Sequence, residues 1–249
     1  MAERIMKNSS GAVFTRLVGL TADAYRPAGR TPYFFARGKL GGDPVFAAML
    51  REGMLRSGDR LLDLGCGQGV LEALLATIDT PAAAGCWPAD WARPPRGISG
   101  EAFDLRADAI AAGEVALRHS GASDRFALRC EDIRNVSPKA CSVVTILDVL
   151  HYIPHEDQEA VLANAIAALE PGGRLLLRVG DAARGWRFRY TLANDWLITR
   201  LRGGRGRFWS RSAAQWVSLL TRLGLEVEAP RDMSEGTLFA NVLLRGHRV

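Results

Sequence analysis

The chain has 249 residues, 48% of them hydrophobic, and a formal net charge of +5 at pH 7. That length suits one α/β domain with room for insertions, and the apolar fraction fills a core and excludes wholesale disorder. The charge excess is too mild to indicate a nucleic-acid binder by itself. Four cysteines, Cys66, Cys86, Cys130 and Cys141, show no CxxC spacing. Three of them sit in apolar strand or turn contexts, and they read as free buried thiols in a reducing compartment. No signal peptide and no run of membrane-spanning length is apparent, which points to a soluble, cytoplasmic protein. The histidines at 119, 151, 155 and 247 are scattered and predict no metal site.

Residues 1–30 are polar, then weakly amphipathic through Val13, Leu17 and Leu20, and predict a short helix and a loop. An aromatic and basic stretch, Tyr33 to Lys39, follows. Asp43-Pro44 marks a helix start, Asp as N-cap and Pro at the first helical position, with the helix running to about Leu55. Arg60-Leu-Leu-Asp-Leu-Gly-Cys-Gly-Gln-Gly-Val70 reads as strand, tight turn and helix start. Gly65, Gly67 and Gly69 let the backbone turn sharply and let a ligand approach bare peptide groups. A dinucleotide fingerprint is GxGxxG, but here the third glycine comes one residue early and Val70 stands in its place.

Asp79 to Ile98 holds four prolines with Trp87 and Trp91 and reads as a long loop, an insertion rather than a lid. Gly100 to Leu105 predicts a second strand ending at Asp104, and Ala107 to His119 a helix. Phe126 to Arg129 predicts a third strand, followed by Glu131-Asp132-Ile133. Ser142 to Leu147 is apolar enough for a central strand buried on both faces. It runs into Asp148-Val-Leu-His-Tyr-Ile-Pro154. A helix to about Leu169 precedes Pro171-Gly172-Gly173, a turn into a strand over Arg174 to Val179. The helix Arg211–Leu223 and strands at Glu226–Ala229 and Thr237–Leu244 complete the chain. Alternating strands and helices predict a doubly wound α/β fold.

The Leu-Asp-Leu-Gly-Cys-Gly-Gln-Gly stretch resembles the nucleotide-binding loop of class I S-adenosylmethionine-dependent methyltransferases, in their small-molecule branch. The resemblance spans about 58–180 strongly and 210–245 weakly. It implies a Rossmann-like, seven-stranded, mostly parallel sheet with an antiparallel last strand. It divides the chain into a cap and lead-in helix over 1–57 and the main domain over 58–249, with insertions at 79–98 and 180–210. Asp63, Gly65, Cys66, Gly67 and Gly69 would then hold S-adenosyl-L-methionine. Asp104 matches the strand-end acid that receives both ribose hydroxyls, with Leu105 beside it and Glu101 as the fallback acid. Asp132 matches the acceptor for the adenine amino group, and Ile133 the apolar surface under the ring. Asp148-Val-Leu-His-Tyr-Ile-Pro154 resembles the fourth motif, with Asp148 at its start counted among the cofactor-binding residues. Arg37 and Lys39 would meet the methionine carboxylate from a segment covering the cofactor. Two departures argue against base methylation: Leu-Asp-Val-Leu replaces the Asp/Asn-Pro-Pro-aromatic of DNA amine enzymes, and no nucleophilic Cys follows a Pro there.

Methyl transfer from a sulfonium needs positioning above all, and a base only when the acceptor is a hydroxyl or similar group. His151 is the first candidate base and Tyr152 the second. The segment from Gly180 to Arg211 carries eight arginines and six aromatic residues against Asp181 and Asp195. It suits substrate recognition: a phosphate-bearing substrate, an anionic membrane surface, RNA, or an acidic acyl carrier protein. Nucleic acid ranks low because no repeated RNA-binding motif is present. The expected activity is biosynthetic methylation of a small-molecule, lipid-like or carrier-bound acceptor. The alternatives are a non-catalytic cofactor-binding scaffold or regulator and an NAD-dependent oxidoreductase.

Overall fold

The computed structural model describes residues 2–85, 87–201, 207–234 and 236–249. Cys86, Arg202 and Arg205 therefore lie outside the described residues. The chain forms two compact units, Met1–Asp132 and Ile133–Val249.

The first unit opens with α1 (Ala2–Asp23), much longer than the short helix expected. Its buried residues Leu17, Val18, Thr21 and Ala22 recur at helical spacing, and that stripe continues a helix whose polar first half gives little signal. The basic aromatic stretch is also helical, within α2 (Arg30–Gly42). The Asp43-Pro44 signal starts α3 (Pro44–Arg51), with the Asp43 carboxylate accepting from the Val45 amide. The strand β1 (Arg60–Leu64) pairs in parallel with β2 (Ser99–Asp104), which pairs in parallel with β3 (Phe126–Cys130). Between them run α4 (Val70–Ile78) and α5 (Ala107–His119). The proline-rich loop is pinned, not loose. Trp87 Nε1 donates to the Ala92 carbonyl at 2.7 Å, and Trp91 packs on Trp87 and Phe14.

The second unit begins its sheet with β4 (Cys141–Leu147), parallel to β5 (Leu169–Gly180). The Pro-Gly-Gly turn is an excursion inside β5: Cys141 faces Leu169, but Val143 already faces Arg174. Helix α6 (His155–Ala168) connects the two strands. After β5 come α7 (Gly185–Leu201) and α8 (Ala213–Arg222), the latter opened by a capping box between Ser212 and Gln215. The strand β8 (Asn241–Arg248) runs antiparallel to β5, as expected of the last strand. It begins four residues later than the pattern suggested. The strand β6 (Leu225–Val227) and a two-residue β7 (Arg231–Asp232) both pair with β8. The described residues thus hold eight strands, one more than expected, because β7 is too short to leave a pattern. The class is the expected doubly wound, Rossmann-like α/β fold, mostly parallel.

Candidate functional site

In the first unit, the turn after β1 is built from backbone conformations that L side chains rarely adopt. Gly67 has φ +62° and Gly69, the N-cap of α4, φ +66°. The two glycines differ in what surrounds them. A Cβ at Gly69 would strike Leu128 Cδ2 at 2.7 Å, whereas at Gly67 it would meet only Arg106 Nη2 at 3.6 Å. Gly69 serves packing, while at Gly67 the space is open and the positive φ alone calls for glycine.

Asp104 locks this loop. Its Oδ2 accepts the Gly67 amide at 2.8 Å, and its Oδ1 accepts the Arg106 amide at 2.9 Å. Oδ1 also faces the Arg106 Nε at 3.5 Å, and a carboxylate has about four acceptor positions, so Oδ2 keeps a lone pair for a ligand hydroxyl. Glu101 instead pairs with Arg129 at 3.1 Å. Leu105 beside Asp104 is 69% exposed, an apolar surface open to a flat ring. From the N-terminal side, the fully buried Tyr25 hydroxyl donates to the carbonyls of Gln68 and Gly69. Gln68 Nε2 in turn donates to the Pro32 carbonyl at 2.9 Å.

Beneath the loop lie Asp63, 4% exposed on β1, and the fully buried Glu72 of α4. Burial pushes the Glu72 carboxyl well above the usual carboxylate range, and the charge of Asp63 adds to it. Burial, with Glu72 next, also raises the Cys66 thiol, which makes it an inert apolar lining and not a nucleophile. Cys66 and Cys141 are buried free thiols as expected, but Cys130 is exposed. Its place at the last position of β3 turns it out of the core. Arg37 donates to the Tyr33 hydroxyl at 3.1 Å, and Lys39 pairs with Asp43 at 2.8 Å, both within the N-terminal helices. Asp132 closes this unit, half-buried.

In the second unit, Ile133 is a core residue at 8% exposure. Asp148 follows β4 in a left-handed conformation, φ +60°, the sole non-glycine with positive φ among the described residues. The buried Arg178 of β5 holds it by two hydrogen bonds, Nε to Oδ1 at 2.8 Å and Nη2 to Oδ2. Such a bidentate pair satisfies a buried guanidinium and over-determines the strained turn. His151 and Tyr152 come next, their rings 4.1 Å apart, with Phe208 against both. Gln158, fully buried on α6, fixes this turn by donating to the carbonyls of Leu150, Ile153 and Trp209. The His151 Nε2 is buried and makes no hydrogen bond among the described residues. It lies 3.5 Å from Asp195 Oδ2 of α7, near enough to stabilise a positive ring. Burial lowers His151 to about 4, so the ring is neutral throughout the neutral range.

The sequence therefore singled out the loop glycines, Asp104, His151 and Tyr152, and missed Tyr25, Glu72, Arg106, Gln158 and Arg178. Glu72 and Arg178 did carry a signal, as lone charges inside apolar runs. Tyr25 and Gln158 carried none. Among the described residues no cluster of histidine, cysteine or acid side chains could hold a metal ion.

Fold and loop together define an α/β enzyme domain with a nucleotide-type cradle. A family model described as a methyltransferase domain matches residues 36–229, and the chain belongs to that family, the S-adenosylmethionine-dependent class. The carboxy-S-adenosyl-L-methionine synthase of Chromohalobacter salexigens is 30% identical over 129 residues, 52% of this chain and 43% of that protein. The ubiquinone biosynthesis O-methyltransferase of Xanthomonas euvesicatoria pv. vesicatoria is 25% identical over 122 residues, 49% of this chain and 43% of that protein. The chain thus spans less than half the length of these curated relatives. The solved magnesium protoporphyrin IX methyltransferase of Synechocystis PCC 6803, with S-adenosylmethionine bound, superposes with a TM-score of 0.53 at 16% identity. That superposition covers 82% of this chain and 76% of the other, and at such identity it shows the fold alone.

Proposed function

We propose that this chain transfers a methyl group from S-adenosylmethionine to a small-molecule or lipid-like acceptor whose reacting group is a hydroxyl. The observation that carries the reading is the Asp104 lock on the Gly67 amide, in a positive-φ turn with open space beside it. In this reading Gly65, Cys66, Gly67 and Gly69 bring backbone against the cofactor, and Asp63 supports them from β1. Asp104 receives a ribose hydroxyl on its remaining lone pair. Leu105 covers one face of the adenine and Asp132 accepts from its amino group. Arg37 is the nearer candidate for the methionine carboxylate, because Lys39 already neutralises Asp43. Ile133 and Asp148 belong to the second unit and are left out of this assignment.

When bound, S-adenosylmethionine supplies a methyl group on a sulfonium, a leaving group that needs no protonation. The residues of the second unit serve the acceptor. In this role His151 Nε2 would take the hydroxyl proton of the acceptor, and Asp195 would stabilise the resulting imidazolium. The unsatisfied state of Nε2 supports this role, since a buried ring nitrogen without a partner is costly unless one arrives. Tyr152 and Phe208 offer an aromatic wall beside it. Arg178 holds the turn through Asp148 and thereby places His151. The O-methyltransferase among the relatives agrees with a hydroxyl acceptor.

The test is transfer of labelled methyl from S-adenosylmethionine into a cell extract, with the parent protein and with Asp104→Ala. A labelled product formed by the parent and lost in the variant supports the reading. Tight cofactor binding without product in any extract favours the non-catalytic scaffold.

A further inference from the structure

Among the described residues, helix α7 presents an outer face that is left uncovered. Trp186, Arg189, Tyr190, Ala193, Trp196, Leu197 and Arg200 are all exposed and recur at spacings of three and four, so they form one stripe. Over those positions the stripe is about 21 Å long at 1.5 Å per residue. Trp186 is 61% exposed and Trp196 51%. Single exposed apolar residues are ordinary, but a continuous row of two tryptophans, a tyrosine and a leucine is not. Phe239 packs on Tyr190, and the neighbouring Leu238 is also exposed, which widens the apolar surface beyond the helix.

Charge decides what this stripe suits. Asp195 is the one acid in α7, and it is turned inward toward His151 with its side chain 19% exposed. The outer face therefore carries cations and no anion. Neither Arg189 nor Arg200 makes an ion pair among the described residues. The guanidinium of Arg200 lies 5.2 Å from the Trp196 ring centre, and that of Arg187 lies 5.4 Å from Trp186. Those ring faces are thus covered by arginine and not open to stacking bases. A second copy of the chain would set cations against cations. Indole rings with arginine above them and leucine beside them match the boundary of a bilayer, where rings sit at headgroup depth and guanidinium groups meet phosphate.

We propose that the outer face of α7 docks on an anionic phospholipid bilayer and lies in the plane of its headgroup layer. Trp186, Tyr190, Trp196 and Leu197 enter the interface, while Arg189 and Arg200 bind lipid phosphates. This is surface attachment by one helix face, and it does not depend on the methyl-transfer reading.

The full chain is sedimented with vesicles of phosphatidylglycerol and phosphatidylcholine, and with vesicles of phosphatidylcholine alone. The parent should bind the anionic vesicles at least tenfold more tightly, and 0.5 M salt should remove most of that preference, roughly as a screening length of a few ångströms demands. Trp186→Ala with Trp196→Ala, and separately Arg189→Ala with Arg200→Ala, should each lower binding about tenfold or more. Arg189→Lys with Arg200→Lys should keep most of it, since lipid phosphates accept a point charge. Circular dichroism checks that each variant is folded. Quenching of tryptophan fluorescence in the parent by brominated phosphatidylglycerol needs no variant, and strong quenching is expected. Failure to bind anionic vesicles at low salt overturns the proposal. So does vesicle binding that both paired alanine variants retain. Self-association that the tryptophan variants abolish would make the face an interface between copies. Single-stranded RNA competing fully with vesicles would make it a nucleic-acid surface; both results contradict lipid docking.

Discussion

The glycine loop of the first unit and the His151 region of the second are built on opposite plans. In the loop, backbone geometry comes first. Positive φ at Gly67 and Gly69 fixes the path, and side chains from other elements tie its peptide groups: Asp104 to Gly67, Tyr25 to Gln68 and Gly69. Around His151 the backbone is also pinned, by Gln158 and by the Asp148–Arg178 pair, but the His151 Nε2 itself makes no hydrogen bond among the described residues. The first arrangement is complete before a ligand arrives. The second keeps one buried nitrogen waiting. Pre-formed cradles hold a constant ligand, and waiting groups act on a variable one.

That contrast predicts that the two regions separate affinity from turnover. The largest expected effect is on the His151 side. His151→Ala should lower kcat by roughly 10²–10⁴, the usual contribution of a positioned base, while S-adenosylmethionine affinity stays unchanged. Because burial holds His151 near 4, the parent's kcat should stay flat from pH 8 to pH 5 and fall only toward pH 4. An acid limb near the ordinary histidine value would mean that the ring is solvated during turnover. On the loop side, Gly67→Val imposes about 1–3 kcal/mol of backbone strain and also fills the cradle. Calorimetry should show cofactor affinity reduced by roughly two orders of magnitude or more with the fold retained. Normal affinity would make the loop a packing turn.

Smaller effects sharpen the same line. Asp104→Ala should weaken S-adenosylmethionine binding by about 1–3 kcal/mol, the cost of partners left unpaired, while Glu101→Ala leaves it unchanged. The reverse result would move the ribose site to Glu101. Glu72→Gln concerns stability alone. The folded protein releases the Glu72 proton at higher pH than the unfolded chain, which does so at about pH 4.3. The folded state therefore binds more protons, and stability falls as pH rises above that value, by at most about 1.4 kcal/mol per pH unit for one proton. The glutamine variant has no such proton. Its melting temperature should gain on the parent's as pH rises above about 5, and parallel curves would contradict a raised Glu72 carboxyl.

What could be read from the sequence follows the same division. The strand–loop–helix at Arg60–Val70 was legible because glycine at alternate positions, after an apolar run ending in Asp63, has few other uses. Helix α5 was legible to its ends from its apolar spacing. The positions that failed lack a local rule. The early half of α1 is too polar to show a period, and Tyr33–Lys39 shows none because glycine and aromatics break the pattern that α2 nevertheless follows. Tyr25 and Gln158 act across long sequence separations, 43 and 51 residues in two of their bonds, which no spacing argument reaches. The strand β7 is two residues long and exists only because β8 lies beside it. In α7 the arginines and aromatics were visible, but which of them share a face, and where Asp195 turns, depended on packing.

Calorimetric titration of the parent protein with S-adenosylmethionine, S-adenosylhomocysteine and NADH in parallel tests the central claim most directly. The loop as described should bind the first two at one site per chain and give no heat of binding with NADH. Saturable NADH binding, or no binding of either adenosyl ligand by folded protein, would contradict the cradle and with it the proposed activity.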